Sequence, residues 1–220
     1  MLSLLKKNFL RITSISLIII TVFICVWLIK RYHDEKQHRQ NVEELLSFSA
    51  LQHGDLIFRK GRSIESRVVL ITDKESNYSH VGVIYMKDDS IFVIHAVPGE
   101  SESGINYIKL EEIKKFLSLQ KARKAAVYRL SNPQQGSEAG LAAERAMFYF
   151  DQKLVFDDDF DLSCENKLYC TELVWKAFLD ADIDLTEGNV SVLNIPLKKG
   201  DFLLPSIFLK SSLLKKIYEF

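Results

Sequence analysis

The chain has 220 residues, 47% of them hydrophobic, enough for one membrane segment and one domain with a sizeable core. Lys+Arg and Asp+Glu both number 29, and no basic stripe with interleaved aromatics occurs, so nucleic acid is excluded as an expected partner. Three cysteines are too few for a disulfide scaffold, and no internal repeat or low-complexity tract stands out.

Residues 12–29 carry no charge. Extended back to Phe9, with Arg11 snorkelling at one end, the run is long enough to span a bilayer as a helix. We read a short tail at 1–8 and a single transmembrane helix at 9–30. A cleaved signal peptide competes with this reading, but the apolar run is long for one and no small-x-small site precedes Lys30. Cys25 lies inside the run, which argues against a lipoprotein signal. Lys6, Lys7 and Arg11 flank one side, and Lys30, Arg31, Lys36 and Arg39 the other, so the charges give no orientation. Residues 31–49 are charged, then amphipathic through Val42, Leu45 and Leu46, and predict a helical stalk. His33 and His38 fall among charges there and are expected to be solvated.

A domain is expected over 50–220. The Gly54-Asp55 turn leads into a short strand ending at Phe58, and 63–72 predicts a helix with Ile64, Val68 and Ile71 on one face. Residues 81–85 and 91–97 predict two strands around the turn Lys87-Asp88-Asp89-Ser90. If Asp88-Asp89 is the tip, Ile84 faces Val93, Gly82 faces His95, and His80 and His95 share one face as diagonal neighbours. A slip of one residue would send His95 to the other face. Either histidine alone would be a satisfied core group; two on one face suggest His80 as general base and His95 as the group that orients it. His53 has no such partner in sight.

Further on we expect a strand at 104–110, a helix at 111–119, a strand at 125–130, a break at Asn132-Pro133 and a helix at 137–150. The acidic stretch 155–161 lacks the glycine and terminal glutamate of an EF-hand loop, so a solvated loop is expected rather than a calcium site. Leu173, Val174, Ala177 and Phe178 recur at helical spacing behind Cys170. The cysteine then sits in the first turn, where the helix dipole lowers a thiol pKa and backbone N–H groups can meet an oxyanion. A small packed core residue is the alternative for Cys170. Residues 185–220 are apolar with lysines, and 206–220 reads as amphipathic, packed on the domain or, less favoured, on a membrane surface. Cys164 and Cys170 would pair in an oxidising compartment only with favourable Cβ geometry. A zinc site of His80, His95 and Cys170 is chemically reasonable, but a catalytic triad accounts for the same residues without metal.

Four blocks carry a resemblance: Gly54-Asp55-Leu56-Ile57-Phe58, Tyr78-Ser79-His80-Val81-Gly82, Phe92-Val93-Ile94-His95-Ala96-Val97 and Leu168-Tyr169-Cys170-Thr171-Glu172-Leu173-Val174-Trp175. From about Leu51 onward the chain resembles the YiiX/YaeF-type permuted papain-like amidases of the NlpC/P60 superfamily. Their circularly permuted branch also holds the lecithin:retinol acyltransferase-like enzymes. The resemblance implies an α+β fold with an antiparallel sheet and a catalytic helix. It implies His80 as base and Cys170 as nucleophile, with His95 at a third position often occupied by glutamate in the closer relatives and by histidine in the acyltransferase-like ones. Phe156-Asp157 stands where Tyr-Asp is usual. Many members are exported, which favours the domain on the extracytoplasmic side.

The expected function is a membrane-anchored cysteine hydrolase, amidase or peptidase, acting on an amide or ester in cell-wall peptide or lipid-linked substrates. A lipid acyltransferase or phospholipase-like thiol enzyme, and a non-catalytic binding module, are the alternatives. Asp55 and Tyr169 are expected to contact substrate; no cofactor or metal is expected.

Overall fold

One helix, α1, runs Leu2–Ser47. The computed structural model describes residues 2–47, 51–100, 104–195 and 198–220, in two compact units, Met1–Glu44 and Leu45–Phe220. Among the described residues α1 is the one helix long and apolar enough to cross a membrane. A helix suits that environment because its backbone groups pair internally. The hydroxyl of Thr21 follows the same rule, donating to the Leu17 carbonyl at 2.8 Å. At the end of the apolar run Arg31 lies 5.5 Å from the Trp27 ring centroid and donates to Glu35 at 2.9 Å. His33 is exposed as expected, whereas His38 is buried.

The second unit contains, in order, β1 (Leu56–Gly61), α2 (Ile64–Thr72), β2 (His80–Lys87), β3 (Ser90–His95), β4 (Lys109–Glu112), α3 (Ile113–Phe116), β5 (Ala122–Leu130), α4 (Gly136–Asp151), α5 (Cys170–Leu179), β6 (Ser191–Ile195), β7 (Lys198–Phe202), α6 (Pro205–Lys210) and β8 (Leu214–Glu219). Six strands form one antiparallel sheet in the order β4-β3-β2-β1-β5-β8, and β6 and β7 form a separate hairpin. The β2–β3 register pairs Lys87 with Ser90 and Ile84 with Val93, as the turn at Asp88-Asp89 requires. Asp88 has φ 51, the left-handed conformation that tight hairpin turns use.

Alternation along the strands sorts the side chains. Leu56, Phe58, Val81, Val83, Ile94 and Ala126 belong to the main core with residues of α4 and α5. Ile57, Ile84, Val93, Ala125 and Val127 point the other way and are also buried. Phe116 covers part of this second face, its ring centroid 5.7 Å from that of His80 and 5.0 Å from that of His95.

Three segments differ from expectation. The strand expected at 104–110 is confined to β4, and the helix expected at 111–119 shrinks to α3. Pairing with β3 takes residues 109–112 into the sheet, so Glu111 is a strand residue. The tail expected as one amphipathic stretch breaks into α6 and β8, because the outer edge of β5 takes β8 as its partner. The β6–β7 hairpin was not expected at all.

Candidate active site

Register alone brings five polar side chains onto one sheet face. Arg59 on β1 pairs with His80 on β2, and Val93 and His95 of β3 pair with Glu111 and Lys109 of β4. The expected diagonal contact is present: His80 Nε2 and His95 Nδ1 are 2.9 Å apart. Gly82 permits it. A Cβ there would meet Val93 Cγ1 at 2.5 Å, the Ile94 carbonyl oxygen at 2.8 Å and His95 Cβ at 3.0 Å. Behind His95, the Glu111 carboxylate lies 3.5 Å from its Nε2 and accepts from Lys121 Nζ at 2.8 Å.

His80 is the first residue of β2 and Cys170 the first of α5. The two starts meet. The sulfur takes hydrogen bonds from the backbone N–H of Val81, which follows His80, and from Thr171. Cys170 and His80 line one cavity of about 600 Å³ together with Arg59, Lys121, Tyr169, Phe156 and Phe160. Tyr169 caps α5, and the Glu172 carboxylate accepts from the Tyr169 N–H at 3.4 Å. Arg59 is braced on three sides. It donates to the Phe116 carbonyl at 2.9 Å and to Glu100 at 3.0 Å, and it stacks 4.4 Å from the Phe116 ring centroid.

The electrostatics correct one expectation. Burial pushes the Cys170 thiol pKa up, and the hydrogen bonds from Val81 and Thr171 and the charge of Arg59 only partly oppose it. Burial, then Arg59, holds His80 well below the ordinary imidazole value. The pair therefore rests as thiol and neutral imidazole, not as the thiolate expected from helix position alone. Burial likewise depresses His95 to about 4. Burial raises the Glu111 pKa, but His95 at 3.5 Å and the bond from Lys121 overcome that and hold it at about 2.

These shifts predict acid sensitivity. Between pH 6.5 and about 4 the unfolded chain binds protons that folded His95 and His80 refuse, so stability falls as pH drops through that window. Thermal melts should show the decline on acidification; a melting temperature constant from pH 7 to 4.5 would contradict it.

The structure separates the two residues expected to contact substrate. Tyr169 is in the cavity wall, its phenol oxygen accepting from the Leu203 N–H at 3.0 Å. Asp55 is not among the cavity residues. Its buried carboxylate takes two bonds of 2.7 Å from Arg129 and one of 2.8 Å from the Gln52 N–H, so its role is to hold the turn before β1. His53, for which no partner was foreseen, accepts from the Met86 N–H at 3.0 Å and lies 3.3 Å from Glu144. Cys164 and Cys170 are both free thiols. In the acidic stretch Asp157 accepts from the N–H groups of Asp159 and Asp161, which makes it a loop brace. The sequence reading missed Arg59, Glu100, Glu111, Phe116 and Lys121. Arg59 had a usable signal, its alternation with the apolar Ile57 of the same strand.

The family of permuted papain-like amidase enzymes (YaeF/YiiX, C92 family) matches residues 50–218. Uncharacterized protein YiiX of Escherichia coli (strain K12) is 25% identical over 130 residues, covering 59% of this chain and 58% of that protein. The chain thus spans under two thirds of this curated relative. The crystal structure of metalloprotein yiiX from Escherichia coli O157:H7 shares the fold, with a TM-score of 0.60 at 23% identity over 76% of this chain and 96% of that one. A family match of that extent, over an antiparallel sheet that brings histidines to a cysteine-headed helix, shows that the chain belongs to the permuted papain-like amidases of the YaeF/YiiX family.

Proposed function

We propose that the protein is a membrane-anchored cysteine hydrolase of amide or ester bonds, with Cys170 as nucleophile, His80 as general base and His95 as the residue that orients it. One observation carries this: His80, hydrogen-bonded to His95 at 2.9 Å, lines the same cavity as Cys170 at the start of α5. The Cys170 proton passes to His80 as the sulfur attacks the carbonyl carbon. Backbone N–H groups at the start of α5 meet the oxyanion. His80 then protonates the leaving group, and a water deprotonated by His80 cleaves the thioester.

The cavity lining includes Arg59, Arg62, Glu65, Glu100, Lys121 and Asp158, which favours a polar amide such as a peptide. A lipid acyl substrate is the second reading, with transfer or hydrolysis of the acyl group. It is favoured by α2, whose Ile64, Val68 and Ile71 are exposed and whose Val68 and Val69 edge the cavity. The apolar stretch of α1 supports anchoring, with the domain assigned to the extracytoplasmic side.

The yiiX protein of Escherichia coli O157:H7 is described as a metalloprotein. The donor set here does not fit a resident metal. His80 and His95 turn facing nitrogens on each other, and among the described residues no three His, Cys, Asp or Glu groups are placed to hold a metal ion together.

The test is acylation. Detergent-solubilised full-length protein treated with p-nitrophenyl acetate should release a burst of p-nitrophenolate, and peptide mass spectrometry should find the acetyl group on Cys170. No adduct at Cys170 would reject the reading.

A further inference from the structure

We propose that Glu111 is a positioning residue that sets the tautomer of the histidine pair and thereby frees one nitrogen of His80 for the Cys170 proton. This rests on the reading of His80 and Cys170 as base and nucleophile.

The β3–β4 register places Glu111 opposite Val93 and diagonal to His95 on one sheet face. Its carboxylate is 6% exposed, with Oε2 3.5 Å from His95 Nε2 and Oε1 2.8 Å from Lys121 Nζ. Held by that ammonium group it stays ionised, and an ionised carboxylate only accepts. The hydrogen of neutral His95 therefore belongs on Nε2. Nδ1 of His95 is left with a lone pair, so across the 2.9 Å contact His80 Nε2 must donate. Neutral His80 then has a bare Nδ1, the nitrogen that can take the thiol proton. The opposite tautomer of His95 would donate to His80 Nε2, put the hydrogen of His80 on Nδ1 and close the route.

The same arrangement bears on charge. When the proton leaves Cys170 Sγ for His80 Nδ1, a cation forms deep in the protein. Arg59 from β1, Lys109 from β4 and Lys121 ahead of β5 oppose it. Phe116 of α3 is uncharged, and the new thiolate of α5 favours the cation. The nearby acids are Glu100 and Glu111, and only Glu111 is tied to the histidines through His95. A 3.5 Å contact at rest is the kind that tightens as charge develops.

The test follows Cys170 alkylation by iodoacetamide against pH, read by peptide mass spectrometry, in the full-length protein and in Glu111→Gln, Glu111→Asp and His80→Ala. In Glu111→Gln the apparent thiol pKa should rise by about one unit and the rate at pH 7 should fall about tenfold. Glu111→Asp should recover most of it, with melting temperatures near wild type. If His80→Ala moves the profile and Glu111→Gln lowers only the melting temperature, Glu111 is structural and this inference alone fails. If neither variant moves the profile, the assignment of His80 as base fails and takes this inference with it. Long-range proton–nitrogen NMR on the wild-type protein is independent of any variant's folding. His95 should carry hydrogen on Nε2, and a hydrogen on Nδ1 would overturn the proposal.

Discussion

Cys170→Ala is expected to bring p-nitrophenyl ester hydrolysis down to the uncatalysed background, a loss on the order of 10⁴-fold or more. His80→Ala should cost nearly as much, because a thiol whose pKa is raised by burial has no nearby acceptor once the imidazole is gone. The double variant should be scarcely worse than either single one, since the two groups perform one proton transfer. Cys170→Ala removes one atom bordering a cavity, so its melting temperature should move little, whereas His80→Ala strips buried His95 of its 2.9 Å partner and should melt lower. Rates of p-nitrophenolate release for the three variants check this. Retention of most activity in Cys170→Ala would place the nucleophile elsewhere.

The largest effect on stability is expected at Gly54, where the turn enters β1. Its φ is +87, and a Cβ there would meet the Ala139 carbonyl oxygen at 2.1 Å and the carbonyl carbon at 2.4 Å. Both obstacles are backbone atoms of α4, which cannot swing aside as a side chain would. Gly54→Ala must therefore carry left-handed strain and also push β1 away from α4. Together these should cost about 3 kcal/mol or more, which for a domain this size is a fall in melting temperature of roughly 6–12 °C. Thermal unfolding checks it. Asp55 should lose its bonds to Arg129 in the same variant, so a melting temperature unchanged within error would mean that the turn is looser than the structure shows.

Local signals were enough to read much of this site. A tight turn at Asp88-Asp89 and period-two alternation suffice to place His80 beside His95, and helical spacing puts Cys170 at the head of α5. What escaped was set at long range. Residues 111–116 (Glu-Glu-Ile-Lys-Lys-Phe) read as the start of a helix, and only the free edge of β3 draws Glu111 and Glu112 into the sheet. Hence Glu111 could not be seen as a neighbour of His95. Asp55 looked like a site residue because its partner, Arg129, lies 74 positions away. The thiol pKa was misjudged because position at a helix start argues downward while burial argues upward, and burial is not visible in the chain. The tail misled for the same reason as Glu111 and Glu112: Leu214–Glu219 becomes a strand only because β5 offers it an edge.

Cys170 is flanked by two residues tied to the same distant point. Thr171 donates its hydroxyl to the Leu203 carbonyl at 2.6 Å, and Tyr169 accepts from the Leu203 N–H at 3.0 Å. Those bonds close loops of 32 and 34 residues, so neither forms from local structure alone. The order of folding follows. The β2–β3 hairpin with its two histidines can assemble early, whereas the turn bearing Cys170 takes its final position only when the segment around Leu203 docks. Cys170 joins His80 late, and a chain caught partly folded carries the histidines without the thiol beside them.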